Sequence, residues 1–321
     1  MTQPSNDHEA TTRATATDAP ARTRVIAMMN QKGGVGKTTT TVNLAAGIAR
    51  AGRRVLVVDL DPQAHATYSL GTDPDELERS VYDVLMQPEI DAPAVHESII
   101  ESRENLDLLP AVTDLAGAET ELATERSRST RLRDALAHVR GEYEFVFIDC
   151  PPSLGTLTLN GLACAREVIV PMQAHFLALQ GVGKLLETVS LVGQTVNRSL
   201  RVSGVVLTMH DEQSRHAREV VQDIADFFES SAQRDVPWRG AKVYKPAIRR
   251  NIKLAESPSF GQSIFEYAPS SNGAKDYGEL TRRVVEEWDQ LLERVRARES
   301  SPPHDGADVT VRTHGPREPV S

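Results

Sequence analysis

Gln31-Lys-Gly-Gly-Val-Gly-Lys-Thr-Thr-Thr-Thr41 is the stretch that decides the fold. Gly33, Gly34 and Gly36 let the backbone turn tightly, so that consecutive N–H groups, that of Val35 among them, converge on an anion. An apolar run at 25–29 precedes the loop and an alanine-rich amphipathic stretch at 38–51 follows it, ending at Gly52. A glycine-rich loop between a strand and a helix places a polyphosphate against the positive end of that helix. Lys37 then reaches the β- and γ-phosphates, Thr38 offers its hydroxyl to Mg²⁺, and Thr39 adds a side-chain contact to a phosphate. The ligand is a nucleoside triphosphate.

Further apolar runs at 55–59, 106–109, 145–149, 168–171 and 202–209 have the length and composition of buried parallel strands. Helical patterns at 130–139, 156–164, 179–196, 215–229 and 274–298 lie between or after them. Strands alternating with helices predict an α/β fold, a P-loop NTPase with a mainly parallel twisted sheet covered by helices on both faces. No repeat and no linker interrupts 24–298, which reads as one ATPase domain. Residues 71–104, with Pro74, Pro88 and Pro93 and short helical pieces at 81–86 and 95–100, read as an insertion over the sheet edge. The polar ends, 1–23 and 299–321, read as disordered tails without a signal peptide or membrane span.

At 321 residues with 40% hydrophobic content, the chain can bury a sizeable core. Two cysteines, Cys150 and Cys164, make neither a disulfide framework nor a C-x-x-C pair, which suits a reducing cytoplasm. The net charge of −9 argues against uniform positive potential, yet Arg239, Lys242, Lys245, Arg249, Arg250 and Lys253 fall in a stretch, 236–255, that lacks acids. Such a patch suits nucleic-acid phosphates.

Acids that close strands in an open α/β sheet face the ligand crevice. Asp59, Asp61 and Asp149 are so placed, the first two on one side of an extended chain by its period of two. Asp149 ends an apolar strand and reads as the acid that holds Mg²⁺ through water.

Two features carry a family resemblance. The loop departs from G-x-x-x-x-G-K-[ST] by having Gln31 at the first glycine and Lys32 next to it, and so resembles the deviant Walker A motif of the MinD/ParA ATPases. The segment 247–269, Ala-Ile-Arg-Arg-Asn-Ile-Lys-Leu-Ala-Glu-Ser-Pro-Ser-Phe-Gly onward, resembles I-P-R-N-V-R-L-x-E-A-P-S-F-G of ParA/Soj partition proteins. With Asp59–Gln63 matching D-x-D-P-Q, the resemblance spans about 25–295.

The resemblance implies the following. Lys32 crosses to the nucleotide of a second copy, so that ATP binding and homodimer formation are one event. Lys32, Lys37 and Asp61 form the catalytic set, with Asp61 orienting the attacking water. Asp59 supports the metal shell or the loop, making Thr38, Asp59 and Asp149 the metal set, and Asn251 lies near the adenine. The ATP-bound dimer binds DNA without sequence specificity through basic residues, to whose positions Arg250 and Lys253 correspond. Hydrolysis is slow until a ParB-type centromere-binding protein stimulates it, and the protein is cytoplasmic and nucleoid-associated. Arg249 stands where the family has proline and either alters the adenine-side turn or adds another DNA-phosphate contact, and Gln213 stands where many relatives have arginine, a place on the DNA face that the nearby Arg215 and Arg218 can take. The alternative is a MinD-like positioning ATPase on a membrane or protein scaffold, but the polar C-terminus lacks the basic amphipathic helix that this needs. An iron-protein reductase would need paired cysteines, which are absent here.

Overall fold

The computed structural model describes residues 22–175 and 178–300; the expected tails lie outside these apart from 22–23 and 299–300. Eight strands form one sheet: β1 (Arg24–Met28), β2 (Val55–Asp59), β3 (Ile100–Arg103), β4 (Leu106–Leu109), β5 (Phe145–Asp149), β6 (Glu167–Met172), β7 (Arg201–Leu207) and β8 (Lys242–Val243). Their order is β3-β4-β2-β5-β1-β6-β7-β8, and every pairing is parallel except β3 with β4. β1 is wholly buried between β5 and β6.

Alternation along the central strands builds two cores. Val25, Ala27 and Met29, with Leu56, Val58, Val146 and Ile148, join Leu157, Leu162, Val182, Leu185 and Val189 of the helices Thr156–Cys164 and Ala178–Thr195. The residues between them point to the other face, where α1 (Lys37–Arg50) packs against β1, β2, β5 and β6 with Leu44 and Ile48 fully buried. Burying a leucine or isoleucine side chain contributes about 1.5–3 kcal/mol, so this two-sided coverage fixes α1, and the loop before it, to the sheet.

The structure revises two expectations. The strand expected at 202–209 stops at Leu207, because Met209 takes a left-handed φ of 48° and turns the chain toward residues 248–250. The helical piece expected at 95–100 is instead a helix, Ala92–Glu97, followed by β3. β3 pairs antiparallel and extends the sheet at this edge, whereas β8 is a two-residue strand at the other.

Contacts divide the chain after Arg282. The larger unit contains the sheet and the first part of the helix Asn272–Glu299; the second begins at Arg283 within that helix and carries Arg296 and Arg298 in its last turn.

Candidate nucleotide site

The loop after β1 is held by its own neighbours. The Asn30 amide donates to the Pro171 carbonyl at 2.8 Å while its oxygen accepts the Lys32 N–H at 3.0 Å. Thr208, just beyond β7, donates to the Val35 carbonyl at 2.8 Å, and the Gln173 amide donates to that of Gly34 at 3.2 Å. Gly34 and Gly36 sit at φ 70° and 81°, in the left-handed region where only glycine is unstrained. Gly36 starts α1 without a side-chain cap and without an acid in the first turn, which leaves the first-turn N–H groups and the positive helix end for a ligand.

Lys37 is buried at this helix start, whereas Lys32 is exposed, its Nζ 2.8 Å from His175 Nε2. Two lysines five residues apart thus lie in opposite environments, one turned into the chain and one toward solvent.

Asp149 ends β5 beneath the loop. Its carboxylate accepts from Thr38 Oγ1 at 2.6 Å and from Thr41 Oγ1 at 3.0 Å. Asp59 stands directly beside it in the β2–β5 register. Burial, then the neighbouring Asp149, raises the Asp59 carboxyl from 3.8 to about 7, and burial raises Asp149 to about 6 against the pull of Thr38 and Lys37. Two buried carboxylates this close favour a cation. Thr38 and Asp149 supply hard oxygen donors of the kind Mg²⁺ accepts when phosphate and water complete its shell, so the residues present fit that ion.

Both oxygens of Asp59 are engaged elsewhere. One of its oxygens accepts the Asp61 N–H at 3.1 Å, and the other accepts both the N–H and the hydroxyl of Thr67 at 2.9 Å. All three donors belong to the 61–67 turn, which favours the loop-supporting half of the expectation for Asp59 over the metal shell. Asp61 is buried, accepts the Gln63 N–H at 3.0 Å, and adds to the negative field at Asp149.

Beside the loop opens a cavity of about 520 Å³ lined by Gly36, Thr39, Met209, Asn251, Ile252 and Tyr277 among others. Met209 and Ile252 are 42% and 70% exposed and offer apolar surface suited to the faces of a flat aromatic ring. Asn251 caps the helix Ile252–Glu256 and so stays on the wall.

Comparison with known proteins agrees with this geometry. A family model described as an AAA domain matches residues 23–202. The sporulation initiation inhibitor protein Soj of Bacillus subtilis is 44% identical over 262 residues, covering 82% of this chain and 98% of that protein. The chromosome partitioning protein ParA of Myxococcus xanthus is 40% identical, covering 82% and 88%. The chain belongs to the ParA/Soj family. Among solved structures, one described as cobyrinic acid a,c-diamide synthase from Mycobacterium smegmatis, with bound ATP analogue and magnesium, is 41% identical with a TM-score of 0.68, covering 83% of this chain and 96% of that one.

Of the residues that the ParA/Soj resemblance assigns to DNA, Arg250 is exposed with no side-chain partner among the described residues. Lys253 is exposed, bonded to Glu256 at 2.7 Å and lying 5.5 Å from the Tyr267 ring centroid. Arg215 is exposed and pairs with Glu219 at 3.0 Å, and Arg218 donates to the Glu212 carbonyl at 2.7 Å. Gln213 is exposed, its N–H donating to Asp211 at 3.0 Å. Arg249 is the departure: its guanidinium turns inward to a buried carboxylate, Asp276, at 2.6 Å. The arginine at the ParA/Soj proline position is therefore engaged within the chain.

Four residues that hold the site went unassigned in the sequence: Thr41, Thr208, Asp276 and Tyr277. Thr41 follows Thr38 by three residues on α1 and so shares its face, a signal the threonine run carried. Tyr277, whose hydroxyl lies 3.0 Å from Thr40 Oγ1, gave no local sign. Cys150 and Cys164 are free thiols, and burial raises Cys150 well above 9 and Cys164 to about 12. No described helix is long and apolar enough to cross a membrane.

Proposed function

We propose that this chain is a DNA partition ATPase whose ATP-bound form is a sandwich dimer. The observation that carries this is the Thr38–Asp149 contact of 2.6 Å at the uncapped start of α1, with Lys37 buried beside it and Lys32 left exposed. Lys37 neutralises the β- and γ-phosphates, and the loop N–H groups orient them. Thr38 and Asp149 hold Mg²⁺, which when bound supplies the remaining charge neutralisation. Asp61, fixed by the 61–67 turn that Asp59 ties down, orients the attacking water. Positioning of this kind suffices, since phosphoryl transfer needs little early proton abstraction.

Lys32 reaches the nucleotide of the second copy, so ATP favours the dimer over the monomer and hydrolysis removes the preference. Arg250, Lys253, Arg215 and Arg218 give the dimer sequence-independent, salt-sensitive contacts to DNA phosphates. A ParB-type partner stimulates hydrolysis and so releases the DNA. The protein accordingly works on the nucleoid in the cytoplasm. The relatives named as Soj and ParA support this reading over MinD-like positioning.

The test is particle mass in solution. With Mg²⁺ and ATP the mass should double from that of one chain, with ADP it should not, and Lys32→Ala should retain ATP yet stay single. A Lys32→Ala protein that dimerises normally with ATP would remove the basis for crossing.

A further inference from the structure

The segment 248–250 is tied to the region just beyond β7 by alternate N–H groups. Ile248 donates to the Leu207 carbonyl at 2.7 Å and Arg250 to that of His210 at 3.3 Å, while His210 donates back to Ile248 at 2.9 Å. The intervening Arg249 N–H points the other way and needs an acceptor. A proline at this position would have no such donor. Here one Asp276 oxygen accepts the Arg249 N–H and Nε, each at 3.0 Å, and the other accepts Nη2 at 2.6 Å. Arginine brings both the unsatisfied N–H and the charge that allows a carboxylate to be buried there.

This carboxylate belongs to the first turns of the helix Asn272–Glu299. The next residue, Tyr277, lines the 520 Å³ cavity and meets Thr40 on α1. On Gly273 a Cβ would lie 2.9 Å from Leu254 Cγ and 3.3 Å from Asn251 Nδ2, so this turn lies flush against the wall. Arg249 and Arg250 line the cavity too, and Asn251 and Ile252 continue the same wall.

We propose that Arg249 and Asp276 are positioning residues for the nucleoside: their three-donor contact locks the wall 249–252 onto the C-terminal helix and thereby sets affinity and selectivity for the base, without acting on the phosphates. This rests on the nucleotide-binding reading above. A charge-assisted, bidentate pair with one partner buried holds geometry in a way that neither residue does alone.

The experiment measures dissociation constants for ATP, GTP and inorganic tripolyphosphate, each with Mg²⁺, on the full chain. The variants are Arg249→Ala, Arg249→Lys, Asp276→Ala, the Arg249→Ala/Asp276→Ala double and Arg249→Pro/Asp276→Ala. The single alanine variants should lose about tenfold in ATP affinity and narrow the ATP over GTP preference. Tripolyphosphate binding should stay within about twofold, since the phosphate loop is untouched. The double variant should be no worse than the poorer single, and Arg249→Pro/Asp276→Ala, which removes the orphan N–H and the orphan charge together, should recover most of the loss. Arg249→Lys, which cannot make the two-pronged contact, should fall between.

Unchanged ATP affinity in Arg249→Ala, or an equal loss for tripolyphosphate, would overturn the proposal. Should either alanine variant fail to fold, the proline double variant decides: ATP affinity near that of the unaltered chain supports it, and a tenfold or greater loss overturns it. If the unaltered chain binds tripolyphosphate but no nucleotide, the nucleotide reading itself fails rather than the clamp.

Discussion

The two halves of the nucleotide site are built in different ways. The phosphate half is mostly local: residues 30–41 supply the loop, the lysine and the threonine hydroxyls, β5 brings Asp149 within 2.6 Å of Thr38, and Thr208 and Gln173 buttress the loop from outside. The nucleoside half is assembled at long range from Met209, residues 248–255 and Tyr277 around a cavity of about 520 Å³ that Gly36 and Thr39 also line. A local device binds whatever carries the charge. A long-range one responds to everything that moves its parts, and so is where selectivity and coupling to the C-terminal helix reside.

The largest effect expected from breaking this contrast is Lys37→Ala. Losing the buried ammonium should weaken ATP and tripolyphosphate alike by at least about a hundredfold, as titration calorimetry would show. An ATP-specific loss would mean that Lys37 serves the nucleoside half.

Asp61→Ala should come next, and only in rate. Single-turnover hydrolysis should fall by about a hundredfold or more while ATP-dependent dimers persist. A variant that is monomeric with ATP would take Asp61 out of the water-orienting role.

Asp149→Asn sharpens the contrast through stability. Burial raises both Asp149 and Asp59 above the ordinary 3.8, so the folded protein binds protons more tightly than the unfolded chain. The sign follows: the stabilising proton binding is present at low pH and is lost as pH rises from about 4 toward about 7. Removing one charge should raise the melting midpoint of the nucleotide-free protein at pH 8 by several degrees, from roughly 1–2 kcal/mol. The gain should shrink near pH 4, and stabilisation by Mg²⁺ with ATP should disappear. Differential scanning calorimetry across pH reads both, and a midpoint gain independent of pH would contradict the linkage.

Tyr277→Phe should give the smallest change. Thr40 keeps its 2.7 Å bond to the Gly36 carbonyl, so only one neutral hydrogen bond between α1 and the C-terminal helix is lost. About 1 kcal/mol of stability is expected from urea unfolding, with tripolyphosphate affinity unchanged.

What was legible follows the same division. The central strands and α1 were readable because they are continuously apolar or cleanly periodic, and the phosphate loop because its chemistry demands glycine and lysine at fixed spacing. β3 was not, since Ile-Glu-Ser-Arg on a half-buried edge has no apolar run, and β8, Lys-Val, is too short for any pattern. Arg249 stood within a basic run and read either as a DNA contact or as a change to the adenine-side turn. Its partner, Asp276, is one acid on a long polar helix, and only the fold brings a carboxylate 27 residues away onto its guanidinium. Thr208 and Tyr277 were hidden for the same reason. Each becomes a site residue through a contact with the loop or α1 made far along the chain.

The function rests most directly on nucleotide-gated binding to DNA. Co-sedimentation of the purified full chain with DNA of unrelated sequence, using ATP, ADP or no nucleotide at two salt concentrations, measures it in one experiment. Retention with ATP alone, weakened by salt and reduced further by Arg250→Ala and Lys253→Ala, is the expected result. Equal retention in all three nucleotide states, or none in any, would contradict the account and leave the exposed arginines and lysines as a solvated surface.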